Sequence, residues 1–98
     1  PSINDPALCD EMMPFIQDIV PADKIIVTAN EPSLGSEDFA YVSTKVPAMM
    51  ISLGAGSTAE GFHYALHSPF VTPDEGCLPV GAALYAHCAT EWLRAHQD

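Results

Sequence analysis

Two histidines in this 98-residue chain, His63 and His67, stand four residues apart. On a helix, side chains with this spacing share one face and can bind a zinc ion together, as in the H-E-x-x-H motif. The residues between them are Tyr64-Ala65-Leu66, so the glutamate that acts as a general base in that motif is absent. The segment also has the composition of a loop, where the spacing imposes no shared site. Three interpretations remain open: the two histidines bind one zinc ion together, one of them is a ligand that joins residues from elsewhere, or both are surface or packed histidines.

Adjacent carboxylates at Glu37 and Asp38 form a second candidate pair. Paired carboxylates can transfer protons or hold a metal ion. Both follow Ser36, which the sequence predicts as the N-cap of a short helix, and acidic side chains at that end also complement the helix dipole. Nucleophilic catalysis by serine has no support, because no serine lies in a G-x-S-x-G motif.

The remaining histidines and the cysteines indicate structural roles. His87 and His96 fall in the last predicted helix, where we expect His87 to be partly buried and His96 to lie at a frayed end. Cys9, Cys77 and Cys88 include no C-x-x-C pair, which argues against a disulfide framework or a zinc ribbon. Reduced cysteines, with no basic leader ahead of them, are typical of a cytoplasmic protein.

Charge and composition exclude several partners. The chain carries 13 acidic and three basic residues, a formal net charge of −10, so no basic patch exists to neutralise phosphates. We therefore expect no nucleic acid and no membrane surface as a partner. No stretch approaches the roughly 20 apolar residues that span a bilayer. A hydrophobic content of 48% argues against disorder and predicts one compact domain at most.

The elements that must position these side chains alternate between helices and apolar runs. Asp5 is placed to cap a helix that begins at Pro6 and ends before Pro21, and we expect Pro14 to kink or split it. The later elements are a strand over 24–29, a short helix over 37–43, a strand over 48–53, a loop over 54–68 and a main helix over 79–95. Helical spacing in the main helix predicts a core stripe of Ala82, Tyr85, Ala89 and Trp92.

This order predicts an α/β fold, with helix, strand, helix, strand, loop and long helix in succession. The connection between the strands is long enough for a crossover, so we expect them to be parallel neighbours. The strand over 48–53 is apolar on both faces, as in a strand buried inside a sheet. Two parallel strands do not form an independent sheet, so we interpret the chain as a partial α/β domain and a fragment of a larger mixed sheet.

Several short motifs, whose order and spacing extend over nearly the whole chain, resemble a known family. They are Gly35-Ser36-Glu37-Asp38-Phe39, Val46-Pro47 leading to Leu53-Gly54, Leu66-His67-Ser68-Pro69, and Asp74-Glu75 with Leu78 and Gly81-Ala82. Together they resemble the C-terminal segment of the amidohydrolase branch of the aminoacylase/carboxypeptidase-type metallopeptidase family. That branch contains hippurate hydrolases, N-acyl-amino-acid deacylases and auxin-conjugate hydrolases. Residues 1–5 also resemble the point where such chains leave an inserted lid domain.

The resemblance implies a fold, an activity and a cofactor. Residues 1–98 would be the C-terminal part of an α/β catalytic domain that a smaller lid domain interrupts. The activity implied is hydrolysis of the amide bond of N-acyl amino acids by a site with two divalent metal ions, usually zinc, manganese or nickel. Only His67 matches a metal ligand of the family, and a neutral imidazole on a loop suits that role. Glu37 and Asp38 match a motif that lines the site region, and no residue is assigned to substrate binding.

The family's other ligands and its general base lie upstream and have no counterpart here. One histidine cannot hold two metal ions, so we expect the isolated chain to be inactive and to bind no metal tightly. We also expect it to self-associate or to pair with the missing part of the domain. One alternative is a non-catalytic acidic binding or scaffold module that pairs with another chain. Another is a small metalloprotein that binds one zinc ion through His63, His67 and an acidic residue.

Overall fold

The computed structural model describes residues 1–28 and 32–98, and within these ranges it contains three α-helices and two 3₁₀ turns. The helices are α1 (Pro6–Ile19), α2 (Ala40–Ser43) and α3 (Cys77–Ala95). The 3₁₀ turns cover Ala22–Lys24 and Thr58–Glu60. The long helices α1 and α3 pack against each other, and irregular segments connect the remaining elements.

Helix α1 forms where the sequence predicts the first helix. The Asp5 side chain accepts a hydrogen bond from the Leu8 N–H at 2.8 Å, which satisfies one of the unpaired donors at the helix start. Pro6 occupies the first position, where it has no N–H to leave unpaired. Pro14 lies inside the helix, which continues to Ile19, so the helix is not split there. The prediction of this helix from capping and periodicity is confirmed.

Helix α3 begins at Cys77, slightly before the predicted start of the main helix. Asp74 builds the turn ahead of it: its side chain accepts from the Gly76 N–H at 2.9 Å, and its C=O accepts from the Cys77 N–H at 3.1 Å. Pro79 therefore falls in the first turn of the helix, where a missing N–H leaves no helical hydrogen bond unmade. The helix continues to Ala95.

The face of α3 that is buried is not the predicted stripe. Tyr85 is 86% exposed, and Ala82 and Ala89 are exposed as well, whereas Leu84 is buried. Only Trp92 of the stripe is half-buried. The predicted stripe is wrong because apolar residues occupy more than one side of this helix, and the position of the partner helix decides which side is covered.

His87 of α3 and His96, the residue directly after its last turn, reach carboxylates of α1. His87 Nε2 lies 2.8 Å from Asp18 Oδ2, and His96 Nε2 lies 3.1 Å from Glu11 Oε1. The later residue of α1 pairs with the earlier residue of α3, so the two helices are antiparallel. The imidazole of His96 also stacks on Trp92 with ring centroids 4.0 Å apart. The structural role of His87 is confirmed, but the frayed end at His96 is wrong because these contacts tie it down.

The apolar segment 48–53 is held by side-chain and backbone groups at the start of the chain. The Asn4 amide bonds both backbone groups of Met50: Nδ2 donates to the C=O and Oδ1 accepts from the N–H, each at 2.8 Å. The Asp5 N–H donates to the Ala48 C=O at 2.9 Å, and Ala48 is buried. These bonds give the segment hydrogen-bond partners that a neighbouring strand would otherwise supply.

The predicted α/β fold class is wrong, because residues 1–28 and 32–98 contain no β-strand. Residues 25–28 are irregular, and Ile26 is 86% exposed; residue 29 of that predicted strand lies outside the described residues. The segment 48–53 bonds to Asn4 and Asp5 instead of to a strand. A strand exists only with a hydrogen-bonded neighbour, which β-branched composition alone does not provide. The interpretation as a fragment of a mixed sheet falls for the same reason.

The molecule has a small core for its mass. Its accessible surface is 8004 Å², whereas a compact protein of 10.5 kDa has about 5,400 Å². Its radius of gyration is 15.0 Å, against about 12.6 Å for a compact chain of this length. The buried apolar residues in the described ranges are Ile16, Ala48 and Leu84. None of the helices in these ranges is long and apolar enough to cross a membrane.

Candidate functional site

His67 lies in two successive turns, residues 65–71, which we call the double turn. The Ser68 N–H donates to the Ala65 C=O at 3.1 Å and closes the first turn, with His67 at its third position. The Val71 N–H donates to the Ser68 C=O at 3.2 Å and closes the second turn. Ser68 therefore belongs to both turns, as the last residue of one and the first residue of the other.

The sequence explains why the second turn forms here. Serine is favoured at the first position of a turn and proline at the second, and Ser68-Pro69 supplies both. The Ser68 hydroxyl accepts a hydrogen bond from the Phe70 N–H at 3.1 Å. All three polar groups of Ser68 are thus engaged within the double turn.

His67 has a backbone φ of 72°, in the left-handed region. In the described residues, every other residue with positive φ is a glycine. Left-handed backbone costs a residue with a Cβ roughly 1–2 kcal/mol, so the surroundings must hold His67 there. The residue is exposed, and no hydrogen bond or ion pair joins its ring to another described residue. Strain of this kind at an exposed polar residue marks a candidate functional position.

Two aromatic rings lie on either side of His67 in the sequence and contact each other. The centroids of Tyr64 and Phe70 are 5.6 Å apart, with the ring planes tilted by 45°. Tyr64 is 57% exposed and Phe70 67% exposed, so the pair is a surface feature. Such a contact contributes about 0.5–1.5 kcal/mol beyond the burial of area. The pair links the two ends of the segment that contains the double turn.

The loop that leads into this segment is also tightly built. Gly56 has a φ of +111°, and a Cβ there would lie 2.3 Å from the Phe62 ring, so only glycine fits. The Asp74 N–H donates to the Ala55 C=O at 2.7 Å and ties the loop to the start of α3. The loop that leads into the double turn is therefore tied to the start of α3.

The acidic residues near His67 in the sequence have structural partners. Glu60 Oε2 accepts from the Ser57 N–H at 3.0 Å and from the Ser57 hydroxyl at 2.8 Å, which forms a capping box. Asp74 caps the turn before α3, as described above. Within residues 1–28 and 32–98, no three histidine, cysteine or acidic side chains come together as a metal site. The described residues therefore give no support to the alternative of a one-zinc protein built on His63, His67 and an acidic residue.

The acid pair at Glu37 and Asp38 lies in a different part of the molecule. Glu37 Oε1 accepts from the Phe39 N–H at 3.3 Å, and α2 begins only after Phe39. Ser36 is therefore not the N-cap that the sequence predicts. A cavity of about 520 Å³ lies beside the pair, and His67 is not part of its wall. The residues that line it are Pro1, Ser2, Gly35, Ser36, Glu37, Asp38, Ala40, Tyr41 and Thr44.

Residues 1–91 match the model of peptidase family M20/M25/M40, and the chain belongs to this family. The resemblance noted from the sequence motifs is thus confirmed. Enzymes of this family are generally metal-dependent.

Three curated relatives illustrate the match. The N-acetyldiaminopimelate deacetylase of Streptococcus sanguinis (strain SK36) is 42% identical over 79 residues, which are 81% of this chain and 19% of that protein. The IAA-amino acid hydrolase ILR1-like 2 of Arabidopsis thaliana is 30% identical over 94 residues, 96% of this chain and 21% of that protein. The N-acetyldiaminopimelate deacetylase of Streptococcus pneumoniae (strain Hungary19A-6) is 39% identical over 83 residues, 85% of this chain and 20% of that protein.

The chain spans about a fifth of the length of these relatives. No solved structure matches it significantly. The sequence motifs single out His67 as a candidate ligand but indicate nothing about the hydrogen bond between Ser68 and Phe70 that closes the segment behind it. The signal that could have found this bond is the Ser-Pro step after the histidine, which predicts a second turn directly behind it.

Proposed function

We propose that this chain is the C-terminal segment of a metal-dependent amidohydrolase that cleaves the amide bond of N-acyl amino acids or related small amides. Residues 1–98 then form the last part of its catalytic domain, and residues 1–5 are the exit from a lid domain. The family match and the names of the relatives, a deacetylase and an amino acid hydrolase, support the substrate class. The unpaired state of all three cysteines supports a cytoplasmic location.

The observation that carries this proposal is the exposed, left-handed His67 at the centre of the double turn. Its imidazole has no partner among the described residues, so either ring nitrogen can bind a metal ion. A backbone that holds a costly conformation and displays one unpartnered imidazole supports the assignment of a metal ligand. The double turn thus fits one ligand of a metal centre whose other ligands come from elsewhere.

The side chains of this segment do not fit a complete metal centre. The described residues bring no three potential ligands together, and Glu60 and Asp74 are already engaged in caps. A divalent ion, zinc, manganese or nickel, would polarise the amide carbonyl and activate water when bound. The role proposed for this chain is to supply one neutral imidazole and to hold its orientation.

The first experiment measures hydrolysis by the purified 98-residue chain. With Zn²⁺, Mn²⁺ or Ni²⁺ added, we expect no release of amino acid from N-acetyl or N-benzoyl amino acids above the rate with metal alone. The reason is that one ligand and no general base are available. Turnover that disappears in the His67→Ala variant would contradict the proposed inactivity of the segment.

The second experiment measures the native gene product and its metal content. An antibody against this segment should detect a protein several times heavier than 10.5 kDa. In that protein, His67→Ala should reduce the bound metal, and the matched variant His63→Ala should leave it largely unchanged. A native product of 10.5 kDa would instead support the non-catalytic acidic module that pairs with another chain.

A further inference from the structure

The double turn contains more hydrogen bonds than are needed to expose a single side chain. Ser68 donates its N–H to Ala65, accepts at its C=O from Val71 and accepts at its hydroxyl from Phe70. A typical turn is closed by one backbone hydrogen bond, and a side-chain bond is not needed. The additional hydrogen bond to the hydroxyl restrains the backbone that follows Ser68, whereas His67 precedes it.

We propose that Ser68 is a positioning residue for His67: its hydroxyl and backbone groups hold the double turn so that the imidazole is presented from a left-handed backbone. This inference rests on the proposed role of His67 as a metal ligand. Ser68 itself has no role at the metal ion, and its effect reaches the site through the backbone of its neighbour.

The geometry of the first turn explains why a restraint is needed. A positive φ at the third position and a negative φ at the second are the pattern of a type II turn, which normally has glycine third. His67 stands at that position, and Leu66 is not among the residues with positive φ. Because histidine disfavours this conformation, the first turn would relax without support from the residues that follow it.

The Tyr64–Phe70 contact supplies the second restraint. The Phe70 N–H that bonds to the Ser68 hydroxyl belongs to the residue whose ring contacts Tyr64. The hydrogen bond and the ring contact therefore act on the same residue, one through its backbone and one through its side chain. Loss of the hydroxyl should free Phe70 and weaken the ring pair as well.

The first arm of the test uses the 98-residue chain and reads the backbone of His67 by NMR. Chemical shifts and three-bond couplings of His67 should report the left-handed conformation in the parent chain. In Ser68→Ala this signature should be lost or averaged, and in Ser68→Thr, which retains a hydroxyl, it should remain. The matched control Ser52→Ala removes a hydroxyl from an exposed loop serine and should leave the signature unchanged.

The second arm uses the native, longer protein and measures the dissociation constant of Co²⁺ from its visible absorption. Residues that orient a metal ligand typically change metal affinity by about tenfold or more when they are replaced. We expect Ser68→Ala to raise the dissociation constant by about tenfold. We expect Ser68→Thr to restore it and Ser52→Ala to leave it unchanged.

The outcomes separate this inference from the proposed function. If His67→Ala does not weaken Co²⁺ binding, the metal-ligand role of His67 fails, and the inference fails with it. If His67→Ala weakens binding but Ser68→Ala does not, only the positioning role of Ser68 is overturned. Equal losses in Ser68→Ala and Ser68→Thr would also overturn it, because the hydroxyl would then not be the cause.

Discussion

His67 has an exposed side chain and a strained backbone. Its side chain is exposed and unpartnered among the described residues, and its backbone holds a conformation that glycine adopts far more readily. Histidine is among the residues that visit the left-handed region more often than most, but it still does so at a cost. An imidazole therefore occupies a position at which the turn would favour glycine.

This strain predicts the effect of two substitutions on the free energy of unfolding. His67→Gly should be more stable than His67→Ala by about 1 kcal/mol, because glycine tolerates the positive φ and alanine does not. Urea unfolding followed by far-UV circular dichroism measures the difference. His63 is the matched control: it is exposed in the same loop but has no positive φ, so glycine there should be less stable than alanine. The same sign at both positions would contradict the left-handed assignment.

Two cysteine thiols have raised pKa values. Burial raises the pKa of Cys9, and the negative charges of Asp10 and Asp5 raise it further. Burial also raises the pKa of Cys88, with a smaller contribution from Asp18. Because the pKa of each thiol is higher in the folded state, the stability that the protonated thiols contribute is lost as the pH rises through those values.

Thiol reactivity tests this shift directly. In Cys77→Ser/Cys88→Ser, the remaining Cys9 should react with a neutral aromatic disulfide more slowly in the folded chain than in urea at pH 8.5. The reason is that the thiolate is the reacting form, and the raised pKa lowers its fraction. The rate should increase with pH along a curve displaced to higher pH than that of the unfolded chain. If the rate–pH curves of the folded and unfolded chains coincide, the raised pKa of Cys9 is contradicted.

At the scale of elements, capping residues predict the observed helices better than hydrophobic periodicity predicts their buried faces. The side chain of Asp5 and the ring of Pro6 act within a few residues, so the start of α1 could be predicted from the sequence alone. The stripe on α3 could not be predicted, because Leu84 and Tyr85 are both apolar neighbours and only the partner helix selects between them. The segment 48–53 was misassigned for the same reason: its partner, Asn4, is distant in the sequence.

In the candidate site as well, the local features could be predicted from the sequence and the contacts between its turns could not. The motif around His67 identifies the residue, and Ser68-Pro69 would predict the following turn, because both signals are local. The contact between Tyr64 and Phe70 depends on how the two turns fold the chain back, which no spacing rule gives.

The packing of α3 on α1 predicts unequal effects at adjacent positions. Leu84 is 6% exposed and Tyr85 is 86% exposed. Leu84→Ala should lower the free energy of unfolding by about 2–4 kcal/mol through lost burial and a cavity. Tyr85→Ala should change it by less than about 0.5 kcal/mol. Alanine favours helix in both variants, so a loss of thermal stability at Leu84 alone isolates the packing contribution. Equal losses would contradict the unequal burial of the two side chains, and a larger loss at Tyr85 would show that the predicted stripe is the buried one.

For the whole molecule, the balance between apolar exposure and charge decides how the free chain behaves. Its accessible surface exceeds that of a compact protein of the same mass by roughly half, and large apolar side chains contribute to the excess. The most exposed of these in the described residues are Leu34, Ile26, Tyr85, Leu66 and Tyr41. The net charge of −10 opposes the approach of a second copy, and it does so less as salt is added.

We therefore expect the free chain to self-associate, with the extent increasing with ionic strength, because salt screens the charge but leaves the apolar surface exposed. Sedimentation velocity at low and high NaCl measures the distribution of species, and a dye that binds exposed apolar surface provides an independent signal. In the longer protein proposed above, the remaining chain should cover this surface, so both signals should be lower per mole of chain. A monodisperse monomer of 10.5 kDa that binds no dye at either salt concentration would contradict this expectation. It would also show that the small core around Ile16, Ala48 and Leu84 is sufficient without a partner.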